Sequence, residues 1–262
     1  MASPHLDFLR SLQAVLSYHR TIGVDRYPAV QGLADFLKTT FVPGAAVSVS
    51  HEGASEKKDA VKGSFPAVSR GTALGIAGEV CSCTGCVLHT KRLLPLPGQG
   101  GEKPRLFIVG SWLTGEEGGK IPPGCILGPR EDEMVARMIA AIHLSPEKAF
   151  VTNIIKCALP DACLPSAENI QVCSGYLVRQ INALSPEVIC TMGLAATRAL
   201  LKGTQPLSQL RGKIYPFPVT EQLSIPLVPT YHPTFLLQNP DFKRATWDDL
   251  QSIGRLLQGN KL

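Results

Sequence analysis

A chain of 262 residues, 44% of them hydrophobic, is long enough to bury a full core and reads as one domain with an extension. No apolar run approaches the length of a membrane span, and Met1 to Arg10 lacks a signal-peptide pattern. This points away from a membrane protein and toward a cytoplasmic one whose cysteines stay reduced; the net charge of +5 is a weak pointer to a polyanion.

Along the chain, Leu6, Leu9, Leu12, Leu16, Val30, Leu33 and Leu37 fall at helical spacing, interrupted by Gly23 and Pro28, so residues 1–41 are expected to form a helical N-terminal extension. Residues 42–77 are rich in Gly, Ser, Ala and Lys without a period and read as a flexible linker. The compact domain is expected over residues 78–262.

That domain opens with Cys83-Thr-Gly-Cys86, followed much later by Cys157 and Cys173, sixteen positions apart. Two thiolates three residues apart can reach one metal centre from a single turn. Two more from a distant segment complete a set suited to a tetrahedral zinc or to an iron–sulfur cluster. The later pair is not a second Cys-x2-Cys, so a zinc ribbon fits poorly and a cluster clamping two distant segments fits better. Cys81 is a rival ligand, whereas Cys125, Cys163 and Cys190 read as ordinary thiols.

Beyond the first cysteines, apolar runs at 105–109, 149–152, 188–191 and 225–228 suit strands buried on both faces. Helical stretches separate them at 131–143, 167–184, 194–202 and 246–257, the second with Ser166 as N-cap and Glu168 in its first turn. Strand–helix alternation implies an α/β three-layer sandwich, with a four-stranded parallel central sheet flanked by helices. Ligands in such sheets lie beyond the carboxyl ends of the strands, which directs attention to Gly110, Asn153, Gly193 and Tyr231-His232-Pro233.

These segments resemble the uracil-DNA glycosylase superfamily, specifically its iron–sulfur family 4. The resemblance runs from about Cys83 to Leu257 and rests on Cys83-x2-Cys86-x-Leu88, Val109-Gly110, Thr152-Asn153-Ile-Ile-Lys156-Cys157, Cys173, the stretch Ser185 to Leu201, Arg211-Gly212 and Pro229-Thr-Tyr-His-Pro233. It implies base excision from DNA by a monomer, with a flipped base in the pocket and water replacing it at the anomeric carbon. It also implies a 4Fe–4S cluster on Cys83, Cys86, Cys157 and Cys173. His232 sits where the family supplies a donor to the departing base, and Asn153 where it reads the base edge.

Two departures stand out. The family usually has Gly-Glu-Ala-Pro-Gly after the first strand; here Ser111 takes the place of the Glu and Trp112 that of a small residue. A serine cannot carry a carboxylate's charge, and Glu117 or Glu116 could swing inward or could stay solvated. The family's Pro-Phe-Val-Gly reads Cys125-Ile126-Leu127-Gly128, so Ile126 replaces a stacking aromatic, and Trp112 either substitutes for it or fills the pocket. Gly110, Trp112, Ile126, Asn153 and Arg211 are the expected substrate contacts. Arg211 with Lys213, Lys243, Arg244, Lys91 and Arg92 could meet phosphates, and in Thr234-Phe235-Leu236-Leu237 an apolar side chain either wedges into the base stack or packs its own helix. The leading reading is a glycosylase on uracil or another altered base. The alternative is a glycosylase-fold reader of DNA that has lost chemistry, or a subunit recruited by a protein partner through the N-terminal helices.

Overall fold

The computed structural model describes residues 73–116, 118–220 and 222–259. The extension at 1–41 and residues 42–72 of the expected linker lie outside them. The last five linker positions, 73–77, are instead the first half of helix α1 (Ala73–Cys81), whose Ile76 and Val80 are buried. The Gly- and Ala-rich composition hid a short apolar face there.

From α1 the chain runs through β1 (Leu94–Pro95), β2 (Gln99–Gly100), β3 (Leu106–Gly110) and β4 (Thr114–Gly115) to helix α2 (Pro129–Ala141). Next come β5 (Ala149–Asn153), β6 (Cys157–Pro160), α3 (Ala167–Leu184), β7 (Val188–Met192), α4 (Leu194–Leu201) and the single turn α5 (Leu207–Leu210). Strands β8 (Tyr215–Pro218) and β9 (Ser224–Thr230) and helices α6 (Pro233–Gln238) and α7 (Lys243–Leu257) complete the described chain.

The main sheet has six strands in the order β2-β5-β3-β7-β9-β8, not four. Its inner four are the expected parallel strands; β2 and β8 pair antiparallel at the two edges. The edges escaped the sequence for physical reasons. Strand β2 is too short to show a period, and β8 reads Tyr-Pro-Phe-Pro, whose prolines cannot donate to a ladder on both sides and confine it to an edge. A small second sheet, β1-β6-β4, stands beside it.

Period-two alternation explains why the inner strands are apolar throughout. Leu106 and Ile108 enter one core with Val188, Cys190, Met192 and Val228, covered by α2 and α7 through Val135, Ile139, Leu250 and Ile253. Phe107 and Val109 enter the other with Ile189 and Leu227, covered by α3 through Leu177 and Ile181. Each such fully buried side chain contributes about 1.5–3 kcal/mol. The sheet is thereby held between two helical layers. Ser166 caps α3 as expected, accepting from the Asn169 backbone while the Asn169 side chain returns the bond, a reciprocal capping box. None of the described helices is long and apolar enough to cross a membrane.

Candidate active site

The carboxyl ends of the parallel strands converge on one point. Strand β3 ends at Gly110, in register with Asn153 at the end of β5, and β9 leads into His232. A Cβ on Gly110 would lie 2.3 Å from Leu127 Cδ2, 2.5 Å from Asn153 Oδ1 and 3.4 Å from His232 Nε2, so only glycine allows this approach. Gly193, at φ +88°, turns β7 into α4; a Cβ there would meet His232 Cβ at 3.1 Å.

His232 is the N-cap of α6, and its Nδ1 accepts the Thr234 backbone N–H at 3.3 Å. An accepting Nδ1 places the ring proton on Nε2. That Nε2 is buried and unpaired among the described residues, and burial pushes the imidazole pKa down to about 4, so the ring is neutral near pH 7. Asn153 is fully buried; its Nδ2 donates to the Ile126 carbonyl at 2.6 Å while its Oδ1 has no partner among the described residues. Each buried unpaired polar atom costs about 1–3 kcal/mol. Two such atoms beside one glycine mark a place prepared for a polar ligand.

The loop Cys125–Gly128 forms the next wall. Asp132, in the first turn of α2, accepts the backbone N–H of Ile126 at 2.9 Å and of Leu127 at 3.0 Å. The Ile126 side chain is part of the core, so its carbonyl, not its side chain, meets the site through Asn153. The residue whose side chain reaches over Gly110 is Leu127. In front of it opens a cavity of about 500 Å³ whose lining includes Ser111, Trp112, Leu127, Glu131, Asp161 and His232. Trp112 is half-buried and leans on the cysteine-bearing core, so it stands at the wall and leaves the cavity open.

Glu117 lies outside the described residues and Glu116 is exposed. Two other carboxylates line the cavity, Glu131 and Asp161, neither of which the sequence reading singled out. Glu131 accepts a hydrogen bond from the Thr234 hydroxyl at 3.1 Å. An acid in the first turn of a helix reads as a partner of the helix dipole; its position three residues after Gly128, in the loop that replaces Pro-Phe-Val-Gly, was the available signal.

Arg211, expected at substrate, is engaged elsewhere. Its guanidinium donates to both carboxylate oxygens of buried Asp249, at 2.9 and 3.1 Å, and to the Ala245 carbonyl, and it lies over the Tyr231 ring. Asp249 also accepts from the Thr230 hydroxyl and the Gly212 N–H, so the pair pins the end of β9 just before His232. Arg92 donates to the carbonyls of Cys81 and Cys83, while Lys213, Lys243, Arg244 and Lys91 are exposed. Leu236 is fully buried and Phe235 stacks on Tyr231, so these two side chains of α6 pack the fold.

The four ligand-type cysteines approach from three segments. Cys83 and Cys86 are half-buried and Cys157 and Cys173 buried. Cys157 senses the charge of both Cys83 and Cys86, and Cys173 that of Cys157 and Cys86, so the four share one neighbourhood. Burial pushes the Cys173 thiol up to about 11 and also raises Cys157. The Gly85 backbone N–H donates to Cys83 Sγ at 3.4 Å. Among the described residues no group of three or more Cys, His, Asp or Glu is drawn closely enough to hold a metal ion. Lys156, buried alongside, donates to Thr152 at 2.6 Å and Gln180 at 2.5 Å.

Comparison with known proteins agrees with this architecture. Residues 97–251 match the family described as "Uracil DNA glycosylase superfamily". The chain is similar to the type-4 uracil-DNA glycosylase of Archaeoglobus fulgidus, with 31% identity over 69% of this chain and 91% of the relative. It is also similar to the type-4 enzymes of Sulfurisphaera tokodaii (32% identity, 69% of this chain and 83% of the relative) and Saccharolobus solfataricus (31%, 71% and 87%). With more than half its length inside the family match and relatives at this identity covered nearly end to end, the chain belongs to the uracil-DNA glycosylase superfamily, on its type-4 branch, with a first motif of its own.

Proposed function

We propose that this protein is a DNA glycosylase that hydrolyses the N-glycosidic bond of uracil or another altered base. The observation that carries the reading is the neutral His232, whose Nε2–H and the Asn153 Oδ1 face the same space over Gly110, both buried and both unpaired. A stacked base exposes neither its edge nor its glycosidic bond, so the nucleotide must leave the duplex to reach them. In the pocket, the Asn153 Oδ1 accepts the ring N3–H of the base, which a uracil-like imide offers and cytosine, unprotonated at N3, does not. The electron pair of the breaking C1′–N bond moves into the base, and His232 Nε2–H donates to the carbonyl oxygen on which that charge settles. A neutral donor suits the task because it need not be desolvated as a cation. Removing one such donor commonly costs about 10²–10³ in rate.

The four cysteines fit an iron–sulfur cluster by donor chemistry: four thiols on three segments, with the Gly85 N–H already donating to Cys83 Sγ at 3.4 Å. Cys83, Cys86, Cys157 and Cys173 would hold a 4Fe–4S cluster, which supplies a structural tie between the segment after α1, the start of β6 and α3. The catalytic unit is then residues 78–262 with the turn of helix that precedes it. It acts as a cytoplasmic monomer on DNA, and residues 1–41 are left for a protein partner.

The reader alternative finds no support: both polar groups that excision needs are present and neither is consumed by a structural hydrogen bond at the atom that matters. Oligonucleotides carrying uracil, hypoxanthine or modified cytosines, incubated with the protein and then treated with alkali, test the proposal. Cleavage at the altered base is expected. Tight DNA binding with no cleavage on any of them would refute catalysis.

A further inference from the structure

A serine hydroxyl holds no charge near neutral pH, so Ser111 leaves the end of β3 without the anion that an oxocarbenium-like sugar and an attacking water call for. The cavity supplies an anion from another element. Glu131, half-buried in the first turn of α2, lines the same space as Ser111 and His232. Its Oε2 lies 2.3 Å from where a Cβ on Gly128 would stand, and Gly128 has φ +135°, so a bare, glycine-only backbone makes room for the carboxylate.

Its Oε1 accepts the Thr234 hydroxyl at 3.1 Å, and the Thr234 N–H in turn donates to His232 Nδ1. One threonine therefore sets both the acid and the imidazole. Asp161 also borders the cavity, but it is exposed and its side chain has no such tie among the described residues.

Resting on the glycosylase reading above, we propose that Glu131 is the catalytic carboxylate of this pocket, having moved the acid's role from the end of β3 to the start of α2. The C1′–N bond breaks first, leaving a cationic sugar, and the water oxygen then forms its bond to C1′. The water's proton passes to the Glu131 carboxylate, the bond's electron pair leaves on the base, and the base anion takes a proton from solvent once released. Before water attacks, the carboxylate's charge steadies the cationic sugar.

Glu131→Gln keeps the oxygen that accepts from Thr234, so the fold and the imidazole are preserved while the charge is lost. On a single-stranded uracil oligonucleotide, kcat should fall by about 10²-fold with KM little changed. Glu133→Gln, an exposed neighbour on the same helix, should match the parent. Adding Ser111→Glu to Glu131→Gln should restore much of the lost rate, which a merely structural role would not permit. A Glu131→Gln protein that excises at the parent's rate overturns this assignment and leaves the glycosylase reading standing. A parent that releases no base from any oligonucleotide overturns both.

Discussion

His232 Nε2 and Asn153 Oδ1 come from the ends of different strands, yet both flank the spot where a side chain at Gly110 would stand, and neither has a hydrogen-bond partner among the described residues. A fold stabilised by a small free-energy margin does not leave two buried polar atoms unpaired at one point without a use for them. Their state also decides how the protein responds to pH.

Burial lowers the His232 pKa from 6.5 to about 4. Between those values the unfolded chain binds a proton that the folded chain refuses, so stability is full above about pH 6.5 and declines as pH falls toward 4. Urea midpoints measured across that window should drop, and the drop should be shallower in His232→Ala. Because the ring stays neutral from pH 5 to 8, the part of the excision rate owed to His232 should show no histidine titration there. A rate that falls with a midpoint near 6.5 as pH rises would mean that the cationic ring is the active form.

Leu127 covers the space in front of Asn153 and Gly110, so a base that reaches the asparagine must displace its side chain. Leu127→Ala should lower stability by about 2–3 kcal/mol, toward the small end for a buried leucine, because the cavity it leaves lets water reach two unpaired polar atoms. Excision of uracil should rise several-fold in kcat/KM. A lower kcat/KM in a folded variant would show that Leu127 contacts the base productively.

The sequence displayed the inner sheet and the two polar groups of the site, and hid most of what surrounds them. Runs such as Val188–Met192, apolar on both faces, have few readings besides a central strand; Asn153 ends one such strand and His232 lies two residues beyond another. Helix α6 was named only as what Thr234–Leu237 would pack and not as a periodic stretch, because six residues show less than two turns of period although Pro233 at its first position is a start signal. The pairing of Arg211 with Asp249 was not legible because Asp249 is 38 positions away. A basic residue with no local acid looks solvated until the fold brings one to it. Glu131 was missed for the opposite reason, since a helix start already explains an acid there.

The Arg211–Asp249 pair should therefore matter to stability more than to DNA affinity. Asp249 is fully buried, so Asp249→Ala leaves an uncompensated cation and should cost about 3–5 kcal/mol in a denaturant titration. In DNA binding, exposed Lys213→Ala should flatten the dependence of log affinity on log salt by about 0.7–0.9, one phosphate's worth, whereas Arg211→Ala should leave that slope unchanged. A slope altered by Arg211→Ala and not by Lys213→Ala would place the phosphate face at the arginine.

The cysteine neighbourhood makes its own demand. Anaerobically purified protein should be brown and carry about four irons per chain, as a 4Fe–4S cluster requires. Cys157→Ser should be pale and poorly soluble, since β6 and α3 lose their tie, while Cys81→Ser should keep both colour and iron. Colourless protein with stoichiometric zinc would replace the cluster by a zinc site.

The most direct measurement of the central claim is the single-turnover rate of uracil release from a single-stranded oligonucleotide by the parent and by His232→Ala, with folding checked by circular dichroism. A neutral imidazole that donates to the departing base predicts a loss of about 10²–10³-fold on its removal in a folded protein. An active parent whose His232→Ala form releases uracil at the same rate would contradict it.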